Sequence, residues 1–464
     1  MRTARAAALL AVVAAAPLAL AHGQGGPQPS RSAAPMTWAD AGAAFDTWPD
    51  TVPAELAALS PAARATAWPE WLRRRDAEIR SRIDRGDEDS VVNLWLYGMS
   101  FTNQPRAVAS ELTGSAASID ALVEARLDDL LDGLQKPQPQ DRLQVVREVL
   151  QRRRLEATTT AGRNGIRRFL RQARARMIAE FADYDRRLQS VRGSSDRSEL
   201  LSLEAVLYRQ RGLSTDASLL VNYGIEQALD ALAADGSVAG GAIRHIGIVG
   251  PGLEFANKAG GTDSYPQQTV QPFAVIDAVV RRRLADRGVV RVTTLDVNPR
   301  VTRHLDEARR RAADGEPYLV HVALGGDDVW SAGLREYAQR FGGSIGEAVV
   351  AAPAAAPDAS TRRLVRFPAA VVQAIVPQDV NVVLERPVPA AMFDLVIATN
   401  VLVYYSRFEQ ALALTNLAAM LRPGGVLLTN TAVFPVPPFQ ATAHHLRVVY
   451  SSRQADDMFW YRRN

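Results

Sequence analysis

The sequence predicts an α/β domain with a mainly parallel sheet, preceded by an all-α N-terminal domain. Three observations predict it. From Met36 to Gln189 apolar residues recur at intervals of three and four, broken at Pro and Gly, which is the helical period. After Asp216 short apolar runs alternate with helical spacing, as successive βα units require. Two of those runs end in residues suited to ligand contact, Gly250-Pro251-Gly252 and Asp296.

The composition narrows the function classes. The chain has 464 residues, enough for two or three domains, with 47% hydrophobic and 22% charged residues, the balance of a globular protein. Lys and Arg number 54 against 50 Asp and Glu, a net +4 that is nearly neutral for this length. Only Lys136 and Lys258 are lysines, so the arginines read as solvated faces of an arginine-rich chain, and nucleic acid is not an expected partner. Cysteine is absent. That excludes disulfides, thiol nucleophiles and cysteine-ligated zinc or iron-sulfur centres.

Residues 1–21 carry Arg2 and Arg5, an apolar run from Ala6 to Leu20, and a small-residue ending, Ala19-Leu20-Ala21. This is the order of a secretory signal peptide cleaved after Ala21, so an exported, periplasmic or secreted protein is expected. Retained as an uncleaved anchor, the same run would tie the chain to a membrane. Residues 22–35 are rich in Gly, Pro, Ser and Gln and read as a flexible spacer. His22 would become the terminal residue, but no second histidine stands in a ligand pattern, and no metal site is expected.

The helical domain is expected over 36–215. Ser60-Pro61 supplies an N-cap and a first-turn proline for a helix that runs through Trp71 and Ile79 to Asp84, with Arg85-Gly86 as its stop. Asp87-Glu88-Asp89-Ser90 then reads as an acidic helix start favoured by the macrodipole, and Trp95, Tyr97 and Phe101 as core. Further helices are expected at 118–134, 140–157 and 164–188.

The α/β domain is expected over 216–464. A helix at 217–233 leads to the strand 243–249 and its glycine turn; a helix at 269–284 leads to the strand 289–295, which ends in Asp296-Val297-Asn298-Pro299. Helical spacing resumes at 300–313. Glycines at a strand's carboxyl end let backbone approach a nucleotide closely, and an acid at the tip of the next strand accepts both ribose hydroxyls. The third glycine of a dinucleotide fingerprint is missing, because Phe255 stands three residues after Gly252, so nicotinamide is disfavoured. An insertion at about 316–366 follows. Phe393 to Asn400 is a strand followed by Val401-Leu402-Val403-Tyr404-Tyr405, a helix at 408–421, the turn Arg422-Pro423-Gly424-Gly425 and the strand 426–430. Two short strands, 446–451 and 458–462, are placed to pair as a hairpin.

From Asp216 to the C-terminus this constellation resembles the class I S-adenosylmethionine-dependent methyltransferases, whose Phe-Asp-Leu-Val strand, Asn-Val-Leu-x-Tyr segment and Leu-Arg-Pro-Gly-Gly turn stand in this order. The segment Asn400 to Tyr405 is most similar to the branch that includes the chemotaxis-receptor methyltransferases. The resemblance implies a Rossmann-like methyltransferase sheet closed by an antiparallel final hairpin, with S-adenosyl-L-methionine as cofactor. It implies that Gly250, Gly252 and Glu254 lie at the cofactor's methionine side, that Asp296 with Asn298 holds the ribose, and that Asp379 and Val380 meet the adenine. Asn400 would begin the methyl-transfer cleft. Two departures stand out: Ile248 occupies the place of an acid common in the family, and the loop after Gly252 is long.

The expected function is methyl transfer to an acceptor the sequence does not name, a small molecule or a protein. Tyr404, Tyr405, Tyr265 and His304 are the candidate proton-handling residues. Export is in tension with a cofactor made in the cytoplasm. The alternative is an exported, catalytically inactive ligand-binding or interaction protein on the same fold. No Gly-x-Ser-x-Gly elbow occurs, which ranks a serine hydrolase far below both.

Overall fold

The computed structural model describes residues 33–107, 117–136, 141–191, 211–217, 219–256, 263, 265–326, 328–349, 362–388, 393–433, 436–440 and 444–464. The leader, most of the spacer and Lys258 lie outside them. The N-terminal part comprises β1 (Ala33–Pro35), α1 (Trp38–Thr47), α2 (Ala54–Ala57), α3 (Pro61–Tyr97), α4 (Ala117–Gln135), α5 (Asp141–Arg152) and α6 (Thr160–Val191). The next stretch holds α7 (Leu219–Ala234), β2 (His245–Val249), α8 (Gln271–Arg281), β3 (Arg291–Asp296) and α9 (Pro299–Ala313). The insertion contributes β4 (Tyr318–Ala323), α10 (Ala332–Arg340), β5 (Glu347–Val349) and β6 (Arg362–Phe367). The chain closes with α11 (Ala369–Gln373), β7 (Ile375–Asp379), β8 (Glu385–Pro387), β9 (Phe393–Ile397), α12 (Arg407–Met420), β10 (Leu421–Thr429), β11 (His444–Val449) and β12 (Ala455–Arg462).

Seven strands form one sheet in the order β7-β3-β2-β9-β10-β12-β11. The first five are parallel, and β12 runs antiparallel to both β10 and β11. This is a Rossmann-like sheet with an antiparallel final hairpin. The chain leaves β2 outward through β3 to β7 and then returns to β9 on the other side, so the order reverses between β2 and β9. Alternation along the strands splits two cores. Val426 and Leu428 join Ile246, Ile248 and Val292 on the face covered by α7 and α8. Leu427, with Val396 and Ala398, faces α12, α1 and the first half of α3. There Trp68 stacks on Trp71 with centroids 5.0 Å apart.

The N-terminal part departs from expectation in two places. Ala33–Pro35, read as spacer, pairs with Glu385–Pro387 as an antiparallel edge. And α3 does not stop at Gly86: it runs 37 residues. Gly86 is small for another reason, since a Cβ there would meet the Leu213 carbonyl oxygen at 1.9 Å. Asp87, Glu88 and Asp89 are therefore buried in mid-helix, and no helix dipole favours them. Each is matched by an arginine of α5, the turn after it, or α6: Asp87 by Arg152 at 2.6 Å, Glu88 by Arg153, Asp89 by Arg176. Arginines read as solvated faces thus form ion pairs, and on α6 Arg163 and Arg171 reach Asp132 and Glu124 of α4 at 2.8 and 2.7 Å.

The second half of α3 packs with α4, α5 and α6 into a third core. Its polar centre is Arg126, fully buried, whose guanidinium donates to the carbonyls of Trp95 (2.7 Å), Gln104 and Pro105 (3.0 Å each) and Gly98. Each carbonyl left unpaired in a core costs about 1–3 kcal/mol. Arg126→Met is expected to lower unfolding free energy by ~3 kcal/mol or more, which a shift in denaturation midpoint at constant m value checks.

The insertion folds as a three-stranded antiparallel sheet, β4-β6-β5, with α10. Phe367 stacks on Phe273 of α8 at 4.5 Å, so the inserted sheet covers a sheet-packing helix and does not line the crevice at the strand ends.

Candidate functional site

At the switch point, the loops after β2, β3 and β9 enclose a cavity of about 100 Å³. It is built first by glycine. Gly250 (φ +61°) and Gly252 (φ +69°) hold backbone conformations that favour glycine, and side chains there would strike Val401 at 2.7 Å and the Thr215 carbonyl oxygen at 2.6 Å. The turn is fixed from below by Gly250 N–H donating to Leu295 O at 2.9 Å. Asn400 (φ +57°) closes the opposite wall, its amide N–H donating to Asn430 Oδ1 at 2.7 Å.

Asp296, at the tip of β3, is 9% exposed and accepts the Asn298 N–H on Oδ1 at 2.8 Å. Burial pushes its carboxyl up to about 7, and the Asp379 charge at the same register of β7 adds to the shift. Asn298 caps α9 by accepting the Arg300 N–H at 2.9 Å, while its Nδ2 has no protein partner.

Of the twelve residues expected to bind cofactor or handle protons, the cavity gathers seven: Gly250, Gly252, Asp296, Asn298, Asn400, Tyr404 and Tyr405. Burial raises the Tyr405 hydroxyl well beyond its usual value, so it holds its proton through the neutral range. The other five sit elsewhere. Glu254 accepts from Tyr265 Oη (2.9 Å) and Gln268 Nε2 (2.5 Å), and the Tyr265 ring stacks on His321 of the insertion. His304 is hydrogen-bonded to Tyr318 Oη at 2.7 Å, and burial lowers it to about 4, leaving it neutral at pH 7 under the inserted sheet. Asp379 accepts from Arg80 of α3 at 2.8 Å, and that guanidinium also reaches Val297 O at 3.3 Å. Val380 is buried in the core and donates its N–H to Asp296 O at 3.2 Å.

The cavity also has residues that the sequence reading passed over: Thr215, Asp216, Asn222 and Gln271. Asn222 is 2% exposed and neither amide atom has a protein partner. Gln271 donates to Thr399 Oγ1 at 3.0 Å, but its own Oε1 is unpartnered. An Asn on the apolar stripe Leu219-Leu220-Val221-Asn222 was the visible signal, since buried amides without partners are costly. The charge is one-sided. Among the described residues lining the cavity two are acids, Asp216 and Asp296, and none is Lys, Arg or His.

No group of three or more His, Asp or Glu residues placed to hold a metal occurs among the described residues. Nor, among them, is any helix long and apolar enough to cross a membrane. No family model matches the sequence. No curated protein matches it either. Among solved structures, an O-methyltransferase family protein from Burkholderia thailandensis is 12% identical over 88% of this chain and 99% of that one, with a TM-score of 0.25. At that score the likeness carries no argument, and the fold stands on the strand order itself.

Proposed function

We propose that the chain is an S-adenosyl-L-methionine-dependent methyltransferase. The observation that carries this reading is the cavity's charge: a site at the switch point of a Rossmann-like sheet, with Asp216 and Asp296 in its wall and, among the described residues that line it, no basic side chain. Phosphate-bearing nucleotides at such turns are held by backbone N–H groups and a helix N-terminus, and two carboxylates in the wall work against a phosphate's charge. A lining of acids and uncharged amides favours a nucleoside that carries positive charge. The residues fit in kind: the glycines leave room for close backbone approach, Asp296 offers acceptors for ribose hydroxyls, and Asn222, Gln271 and Asn298 hold unpartnered polar atoms that a ligand would satisfy.

The bound cofactor would supply a methyl group on a sulfonium, a leaving arrangement that needs alignment and exclusion of water more than a metal. The chain's part is to hold and orient. Neither buried Tyr405 nor distant His304 is suited to remove a proton from an acceptor at neutral pH. The acceptor remains a small molecule or protein of unassigned class. The leader supports export, so the reaction would take place outside the cytoplasm or at its membrane.

One pair of observations favours a second reading, a catalytically inactive binder on the same fold. At about 100 Å³ the cavity falls below the ~300 Å³ of ordinary small-molecule sites, and Arg80 engages Asp379, the carboxylate assigned to adenine. Isothermal titration of the chain without its leader decides the first step: S-adenosylmethionine should bind, whereas NAD and ATP should not. Absence of heat at millimolar S-adenosylmethionine rejects the methyltransferase reading.

A further inference from the structure

The final hairpin took no part in the site above, yet a chain of hydrogen bonds runs from it to the cavity wall. It begins at Asp456, near the start of β12, which accepts Asn430 Nδ2 on Oδ2 at 2.9 Å and the Asp457 N–H on Oδ1 at 3.0 Å. Asn430 directly follows β10. Its Nδ2 also donates to Asn400 Oδ1 at 2.7 Å, while its Oδ1 accepts the Asn400 N–H at 2.7 Å. Asn400 is exposed and lines the cavity. The far end of the chain is anchored by the insertion: Ser331 N–H donates to Tyr450 O at 2.7 Å and Asp328 pairs with Arg453 at 3.1 Å, which holds the turn between β11 and β12.

These contacts leave Asn400 one polarity. A main-chain N–H can only donate, so it must meet the Asn430 oxygen and not its nitrogen. That turns Asn430 Nδ2 toward the Asp456 carboxylate on one side and toward Asn400 on the other, and Asn400 must answer with its own oxygen. Its Nδ2 has no partner among the described residues and is the atom left for the cavity. The proposed cofactor carries one negative group, its carboxylate. Among the described residues that line the cavity no Lys, Arg or His receives it, so uncharged donors must. In the sheet β2 lies between β3 and β9, so a ligand whose ribose sits on Asp296 reaches Asn400 with its amino-acid portion by crossing the glycine turn. We propose that Asn400 donates through Nδ2 to this carboxylate, and that Asn430 and Asp456, neither of which lines the cavity, are positioning residues that fix the donor in that sense. The hairpin and the insertion that clasps it then belong to cofactor recognition, although neither contributes a side chain to the cavity wall.

Because this rests on the proposed cofactor, the test uses two probes that keep the questions apart. One is S-adenosylmethionine; the other is decarboxylated S-adenosylmethionine, which keeps the nucleoside, the sulfonium and the ammonium and lacks only the carboxylate. Titration calorimetry gives the ratio of the two affinities, and thermal unfolding is followed beside it. The double variant Asn430→Asp/Asp456→Asn keeps the net charge and every hydrogen bond of the chain but reverses its direction, so that Asn400 turns its oxygen to the cavity. Its preference for S-adenosylmethionine over the decarboxylated probe should drop at least ~10-fold, a change of ~1.4 kcal/mol, with the melting temperature unchanged. Asn400→Gly removes the amide at a backbone conformation that glycine accepts, φ +57°, and should lose a similar share of the preference. A preference that survives Asn400→Gly hands the carboxylate to another donor, such as Asn222. A preference lost in Asn400→Gly but kept in the double variant shows that the chain does not set the donor, and a double variant that melts far below wild type shows that the two side chains are not reciprocal partners. Each of these overturns the inference. Wild type that binds both probes equally also overturns it and leaves the cofactor reading standing, whereas wild type that binds neither removes both.

Discussion

Asparagine in place of Asp296 is expected to give a protein more stable at pH 8 than the wild type and nearly devoid of ligand affinity. Burial and the neighbouring Asp379 raise the Asp296 carboxyl to about 7, against ~3.9 for an unfolded chain. Below pH ~4 both states carry the proton. Between that value and 7 the folded state keeps a proton that the unfolded state has lost, so stability falls as pH rises and levels off above 7. Three units at ~1.4 kcal/mol each make this a loss on the order of 4 kcal/mol. Asparagine cannot ionise, still accepts the Asn298 N–H through its own oxygen, and should remove that component. Denaturant unfolding at pH 5 and pH 8 checks it: the difference between the two pH values should shrink in the variant, and equal pH dependence in both proteins rejects the assignment. Binding responds oppositely. Two hydroxyl donors to an ionised carboxylate are worth ~1.5–3 kcal/mol each, so the variant should lose ~100-fold or more, and wild-type affinity for S-adenosylmethionine should climb from pH 6 to pH 8.

That a destabilised carboxylate sits at this position explains which parts of the site were legible in the sequence. Gly250, Gly252 and Asp296 announce themselves because backbone conformation and strand-end position demand them, and such demands are local in the chain. The antiparallel hairpin of β11 and β12 was equally readable from spacing. What sequence could not give was set by contacts between distant segments. Gly86 looks like a helix stop until the Leu213 backbone is found against it. Three consecutive acids look like a helix start until Arg152, Arg153 and Arg176 arrive from segments distant in the chain. Phe255 looks like a damaged fingerprint, but it is 1% exposed in the core built by α3 to α6, where it joins the glycine loop to the helices. Glu254, Tyr265 and His304 were drawn into the site by proximity in sequence or by chemistry, whereas Glu254 and Tyr265 bond each other and His304 bonds Tyr318 of the inserted sheet.

The other large effect is expected at Gly86. By helix propensity alone, Gly86→Ala in the middle of α3 should stabilise the chain by ~1 kcal/mol. Contact geometry predicts the reverse. The new methyl would lie 1.9 Å from the Leu213 carbonyl oxygen and 2.4 Å from its carbon, and these are backbone atoms that no rotamer change can move. The approach is two-sided, since a Cβ on Gly212 would meet Gly86 N at 1.9 Å, and it is locked by Leu213 N–H donating to Arg82 O at 3.0 Å. Relief requires the segment 212–217 to lift from the helix. Overpacking of this kind costs ~1–3 kcal/mol even where side chains can yield, so with backbone on both sides a net loss of ~3 kcal/mol or more is expected. Ligand affinity should fall with it, because Leu213 to Ala217 wall the cavity and Asp216 would leave Ser90 and Asn93. Gly133→Ala in α4 is the matched control. Its nearest neighbour is the Leu143 Cδ1 methyl at 3.4 Å, an ordinary contact, so there the propensity gain of up to ~1 kcal/mol should survive. Denaturation midpoints that move in opposite directions for the two variants support close packing of α3 on the segment 212–217; a stabilised Gly86→Ala would show that the two segments are not in contact.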